Sequence, residues 1–183
     1  VGADAGKGAT TSAPYSSGEY NVAVGYQALS AFTTGNKCVA IGYGAGKVHQ
    51  GASWSVYIGY KAGYDVTSGA QNVLIGGEAG TNFTTADRNI AVGAAALQTA
   101  TIGDSNVAVG DNAGWSATTA SGSVFIGRLA AGSLTTGNDN IAIGRDALNG
   151  AAVTGDSNIA IGVSALDAQT GGDNCIAIGL NAG

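Results

Sequence analysis

The sequence predicts an all-β fold, a parallel β-solenoid (β-roll) of 17-residue coils, and three observations predict it. A short motif recurs ten times: a small polar residue, Val or Ile, most often Ala, Val or Ile, then Gly. Its glycine falls at Gly25, Gly42, Gly59, Gly76, Gly93, Gly110, Gly127, Gly144, Gly162 and Gly179, spaced by 17 residues seven times, then 18, then 17. Between these motifs the same residue types return at the same offsets. Fixed-period self-similarity of this kind marks a stacked repeat.

The elements of one coil follow in order, with the small polar residue as position 1. Positions 2 and 4 are Val or Ile in all ten copies. Alternation of period two with β-branched residues is the pattern of a strand. A helix is excluded, because β-branched pairs at i, i+2 make no 3.6-residue stripe and an interior Gly costs about 1 kcal/mol. Position 5 is always Gly and should release the chain into a turn. Position 8 is Ala in every copy, from Ala28 to Ala182, and is expected to open a second short strand. Position 12 is often apolar, as in Phe32, Val66, Phe83 and Leu134. Position 13 is Thr in seven copies and predicts a Thr ladder. Positions 15 to 17 carry turn residues, as in Gly103-Asp104-Ser105 and Gly172-Asp173-Asn174.

Residues 1–20 hold a truncated copy (Val1 to Gly6) and an irregular stretch, and residues 21–183 form the ten-coil repeat domain. The single extra residue lies between Asn149 and Ala152, in a turn, so a local bulge without change of strand register is expected. At about 4.8 Å per coil, ten coils make a rod of roughly 48 Å. The Val and Ile residues at positions 2 and 4 are expected to be the buried spine. Positions 1, 3 and 5 then form a small-residue face, broadened by Tyr57, Leu74 and Phe125, that a homotrimer would bury around its axis. Charged residues are only 10% of the chain against 45% hydrophobic, which leaves little charge to cover a thin rod and favours such association.

Net charge is −5 with no basic run, so nucleic acid is not an expected partner. No apolar run approaches the roughly 20 residues of a membrane span, and no membrane insertion is expected. The chain starts at Val1 and stops just after a repeat motif, so it reads as a piece of a longer protein. Cys38 and Cys175 share position 1 in coils far apart, beyond disulfide reach, and free thiols are expected. These suit assembly in a reducing compartment.

The motif Asn21-Val22-Ala23-Val24-Gly25 and its variants Asn140 to Gly144 and Asn158 to Gly162 resemble the head repeats of trimeric autotransporter (YadA-like) adhesins, although the coil here is longer. A closer resemblance is to phage and virus tail-fibre repeats. Asn21 to Leu29 followed by Thr33-Thr34-Gly35 carries it, as does Thr135-Thr136-Gly137 before Asn140 to Leu148. The resemblance spans Asn21 to Gly183. It implies a trimeric fibre on a virion or cell surface, with self-association and a host cell-surface glycan or protein receptor as partners. It brings no catalytic residues.

No catalytic or metal constellation is legible, no cofactor is expected, and the reading is of a protein that is not an enzyme. Ala5-Gly6-Lys7-Gly8 lacks the first Gly and the Ser or Thr of a phosphate-binding loop. His49 is the only histidine and is expected at the surface. Acidic and amide residues at position 16 (Asn36, Asp87, Asp104, Asn138, Asp156, Asp173) are read as turn formers rather than cation ligands. Candidate binding residues are aromatic. Tyr26, Tyr43 and Tyr60 occupy position 6 of successive coils and should stack, and Trp54 and Trp115 lie in or beside the long turns. The expected function is a structural and binding segment of a trimeric attachment fibre, most of all a phage or virus tail fibre mediating host attachment. A bacterial adhesin head and a monomeric ice-binding-like solenoid are the alternatives.

Overall fold

A computed structural model describes residues 2–7, 18–150, 153–168 and 170–183. Each copy of the motif gives one three-residue strand: β1 (Val22–Val24), β2 (Val39–Ile41), β3 (Val56–Ile58), β4 (Val73–Ile75), β5 (Ile90–Val92), β6 (Val107–Val109), β7 (Val124–Ile126), β8 (Ile141–Ile143), β9 (Ile159–Ile161) and β10 (Ile176–Ile178). They form one sheet in sequence order, with every neighbouring pair parallel. Pairing is in register, position against position, as in Val107↔Val124. The register survives the extra residue, with Ile141 opposite Ile159; of the expected bulge from Asn149 to Ala152, Ala151 and Ala152 lie outside the described residues. Gly2 to Lys7 stacks on the first full coil through Gly6 N–H to Ala28 O at 2.8 Å and Gln27 N–H to Ala3 O at 3.0 Å.

The sheet faces are the reverse of the sequence expectation. Position 3 is the inner position: Ala40, Tyr57, Leu74, Ala91, Ala108, Phe125, Ala142 and Ala160 have 0% exposure. The Val and Ile residues at positions 2 and 4 are half-buried or exposed in all ten strands. Tyr57, Leu74 and Phe125 are therefore core residues, and the small face is the lumen wall of a single chain.

The polar residue at position 1 sets this parity. The Asn106 amide donates to Ala120 O across its own coil at 2.7 Å, and its Oδ1 accepts the Ser123 N–H of the next coil at 3.0 Å. Asn72, Asn89, Asn140 and Asn158 repeat both bonds. The side chain closes its own coil and ties it to the next. Turning position 1 outward would strand two buried backbone groups per coil, at about 1–3 kcal/mol each. Burying the Val and Ile pair fully gains only the remaining part of about 1.5–3 kcal/mol per side chain. Period two then carries position 3 inward with position 1.

The wall facing the sheet is a staircase of overlapping β-turns rather than the expected second strand. Ala28 N–H meets Gly25 O at 3.4 Å and Ser30 N–H meets Gln27 O at 3.3 Å. The third residue of each turn has positive φ, as type II turns require; Ala95 is at 53° and Leu97 at 50°. The free N–H groups reach alternately back and forward, with Gly44 N–H to Tyr26 O at 2.9 Å and Gly46 N–H to Ala62 O at 3.0 Å. Gly at position 5 starts the staircase. At Gly110 φ is +139° and a Cβ would lie 2.5 Å from the carbonyl oxygen of Gly127 in the next coil.

Core volume is exchanged across the lumen between positions 3 and 9. Where position 3 is Ala, position 9 is Leu in the pairs Ala23/Leu29, Ala91/Leu97, Ala142/Leu148 and Ala160/Leu166. Where position 3 is large, position 9 is Gly or Ala: Tyr57/Gly63, Leu74/Gly80 and Phe125/Ala131. A Cβ on Gly80 would come within 2.8 Å of Leu74, and one on Gly114 within 2.6 Å of Phe125 in the next coil. Both positions are small in the pairs Ala40/Gly46 and Ala108/Gly114, and there the large rings of the next coil, Tyr57 and Phe125, lie against the glycine, so the lumen leaves no void.

Candidate functional site: the aromatic and lysine surface of the first three coils

Position 6 follows the glycine that ends each strand motif, so its side chain stands on the outer turn. Coil stacking brings Tyr26, Tyr43 and Tyr60 into the expected column. Ring centroids are 5.3 Å apart for Tyr26–Tyr43 and 5.4 Å for Tyr43–Tyr60, with interplanar angles of 23° and 20°. The three remain about half exposed. Since the rings cover each other's faces, the column presents ring edges and hydroxyls to solvent.

Lysines and a fourth tyrosine extend this surface. Lys61, at position 7, lies with Nζ 5.3 Å from the Tyr60 ring centre and 5.5 Å from that of Tyr64. Lys47 and Tyr64 are successive members of the position 10 column. Lys47 Nζ donates to Tyr64 Oη at 2.9 Å and sits 5.1 Å from its ring centre. The bond to Tyr64 raises the Lys47 pKa above its ordinary value, so the ammonium is retained. Trp54 stands at position 17, at the other end of the strand, 60% exposed, with Lys37 Nζ 3.9 Å over its ring. Trp115 occupies the position 10 column three coils beyond Tyr64 and donates through Nε1 to Gln98 at 2.6 Å. The structure therefore gathers Tyr26, Tyr43 and Tyr60, and places Trp54 and Trp115 apart from them.

The lysines were the part sequence reading missed, although a signal was there. All seven tyrosines and all four lysines precede residue 65. Residues 1–64 carry only two carboxylates (Asp4, Glu19), and residues 65–183 carry ten against three arginines.

No protein-family model, curated protein or solved structure matches the chain. The likeness to fibre and adhesin repeats thus rests on the motif alone. Among the described residues no helix is long and apolar enough to cross a membrane.

His49 departs from its expected surface place. It occupies position 12, the column of Phe32, Val66 and Phe83, and has 0% exposure. Its Nε2 is 3.5 Å from Cys38 Sγ and its Nδ1 is 3.4 Å from Tyr57 Oη. Burial lowers the His49 pKa and raises those of Cys38 and Tyr57, so the trio is neutral and packs as polar core. Cys38 and Cys175 are thiols and are not joined by a disulfide.

Position 16 has its own ladder. Asp87 N–H donates to Asp104 Oδ1 at 2.8 Å, and Asp156 N–H to Asp173 Oδ1 at 2.8 Å. These side chains cap backbone of the preceding coil, in keeping with the turn-forming role read from the sequence. The Thr column runs the other way, each hydroxyl donating to a carbonyl of the following coil: Thr84 Oγ1 to Thr101 O at 3.1 Å and Thr101 Oγ1 to Thr118 O at 3.2 Å.

Proposed function

We propose that the chain is a structural and binding segment of a trimeric extracellular attachment fibre, and that a phage or virus tail fibre mediating host attachment fits it best. One observation carries this reading: two unbroken columns of Val and Ile, at positions 2 and 4, run the length of the sheet on its outer face. A contiguous apolar strip on a chain with only 10% charged residues marks an interaction surface. Position 3 between the columns points inward, so both columns line the outer face of the sheet. In a parallel trimer each column of one chain packs against a different neighbour. The common coil spacing of about 4.8 Å keeps the chains in step. Such assembly leaves position 10, with Lys47, Tyr64 and Trp115, on the outside for a receptor. The backbone ladders and the side-chain ladders at positions 1, 13 and 16 give the stiffness a shaft or head needs.

Sedimentation equilibrium tests this. The expected mass is three times the 17.7 kDa chain. Ile126→Arg, placed on the outer face, should give a folded monomer. A native chain that stays monomeric at micromolar concentration overturns the trimer.

A further inference from the structure

We propose that the aromatic and lysine surface of coils 1 to 3 binds an acidic polysaccharide laid along the rod. This rests on the binding half of the fibre reading and names its ligand. The first argument is charge. Each arginine is paired with a carboxylate: Arg88 with Asp104 at 3.6 Å, Arg128 with Asp146 at 3.8 Å and Arg145 with Asp146 at 3.6 Å. Among the described residues Lys37, Lys47 and Lys61 have no carboxylate within ion-pair distance and lie against aromatic rings instead. Their charge is uncompensated, held on the one part of the chain that is not acidic, and available to an anion.

The second argument is shape. The stacked rings of Tyr26, Tyr43 and Tyr60 hide their faces, so the surface is no platform for a flat ring. It offers hydroxyls in a row, one per coil, on rings whose centres are 5.3 and 5.4 Å apart, a step close to the length of one pyranose unit. Lys61 and Lys47 flank that row. An extended polymer with hydroxyls and a carboxylate or sulfate at regular intervals matches both the spacing and the charge. Its anions meet the ammonium groups, and its hydroxyls meet the tyrosine edges. A globular acidic protein would have no reason to follow the coil period.

The test uses the whole chain and titration calorimetry with polygalacturonate and dextran sulfate as the two anionic probes. Neutral dextran and polyglutamate are the controls. Binding to at least one anionic polysaccharide is expected, weaker by about tenfold between about 50 mM and 300 mM salt. The double variant Lys47→Gln/Lys61→Gln should lose about tenfold or more through two charge-assisted contacts. Tyr43→Leu should weaken binding further, and Arg128→Gln should leave it unchanged. Circular dichroism confirms that each variant folds. Absence of binding to both anionic polysaccharides overturns the proposal. So does equal binding of dextran or of polyglutamate, or undiminished binding by the double variant. Sedimentation of the same samples separates this from the assembly reading: a monomer that binds keeps the ligand and loses the trimer, and a trimer that does not bind does the reverse.

Discussion

The two faces of the sheet differ more than their composition suggests. In β6, Ala108 has no exposure, while its neighbour Val109 is 37% exposed. The larger apolar residue is the outer one, in this strand and in most others. In a globular sheet the hydrophobic column would turn inward. Here the coil is so narrow that closing it with backbone hydrogen bonds comes first. Asn at position 1 does the closing, and its parity decides what else is inside. Burial in a thin solenoid is set by polar closure before apolar area is counted.

The largest expected effect comes from setting these neighbours against each other. Ala108→Arg places a guanidinium in a lumen where Gly114 is held against Phe125. Burying that charge without a partner costs several kcal/mol at least. Cooperative thermal unfolding, followed by circular dichroism, should be lost or its midpoint lowered by more than about 15 °C. Val109→Arg, one residue on, should leave the unfolding of the isolated chain within about 0.5 kcal/mol of native. Equal effects at the two positions would break the comparison.

Much of this architecture was legible in the sequence. The period, the strand at positions 1 to 5, the parallel register across the 18-residue step and the stacking of Tyr26, Tyr43 and Tyr60 all follow from spacing. Alternation divides a strand into two faces but does not say which is inside. The sequence held two clues to that choice: an amide able to bridge coils at position 1, and the size exchange between Tyr57, Leu74 or Phe125 and the residue six places later. The staircase wall was hidden for a different reason. Residues such as Gln27, Ala95 and Leu97 adopt positive φ with nothing in their identity to announce it. His49 could be placed only once its column was known to be internal. Of the lysine contacts of the candidate site, Lys61 meets Tyr60 and Tyr64 within its own coil, while Lys47 with Tyr64 and Lys37 with Trp54 join the same position of successive coils, so only the 17-residue period, and not linear order, brings these last two pairs together.

The size exchange can be tested as a pairwise coupling. Leu74→Ala should cost about 2–5 kcal/mol through the cavity it leaves. Gly80→Leu should cost about 1–3 kcal/mol or more, because the new side chain meets Leu74. The double variant recreates the Ala91/Leu97 arrangement of the next coil, where Leu at position 9 already has a φ of 50°. Its loss in denaturant unfolding should be smaller than the sum of the two by about 2 kcal/mol, within the range of coupled core neighbours. Simple additivity would mean that positions 3 and 9 do not share one space.

The smallest effect belongs to the one titratable group of the inner face with an ordinary pKa near neutrality. Burial holds the His49 pKa below its ordinary value of 6.5. The neighbouring Cys38 thiol and Tyr57 hydroxyl are themselves kept neutral by burial and offer no negative charge to an imidazolium. The unfolded chain therefore takes up a proton near pH 6.5 that the folded chain refuses. Stability is full above that pH and falls as pH drops through it, until the folded imidazole protonates as well. The slope cannot exceed about 1.4 kcal/mol per pH unit for one proton. Between about pH 7 and 5, above the range where most carboxylates titrate, His49 should supply most of the pH dependence. His49→Phe puts in this column the residue already present at Phe32 and Phe83, and it should flatten that slope whatever it does to stability at neutral pH. The check is denaturant unfolding at several pH values in this window. Equal slopes for the native chain and the variant would place the imidazole in contact with water, and His49 would then belong to the outer surface rather than the inner face.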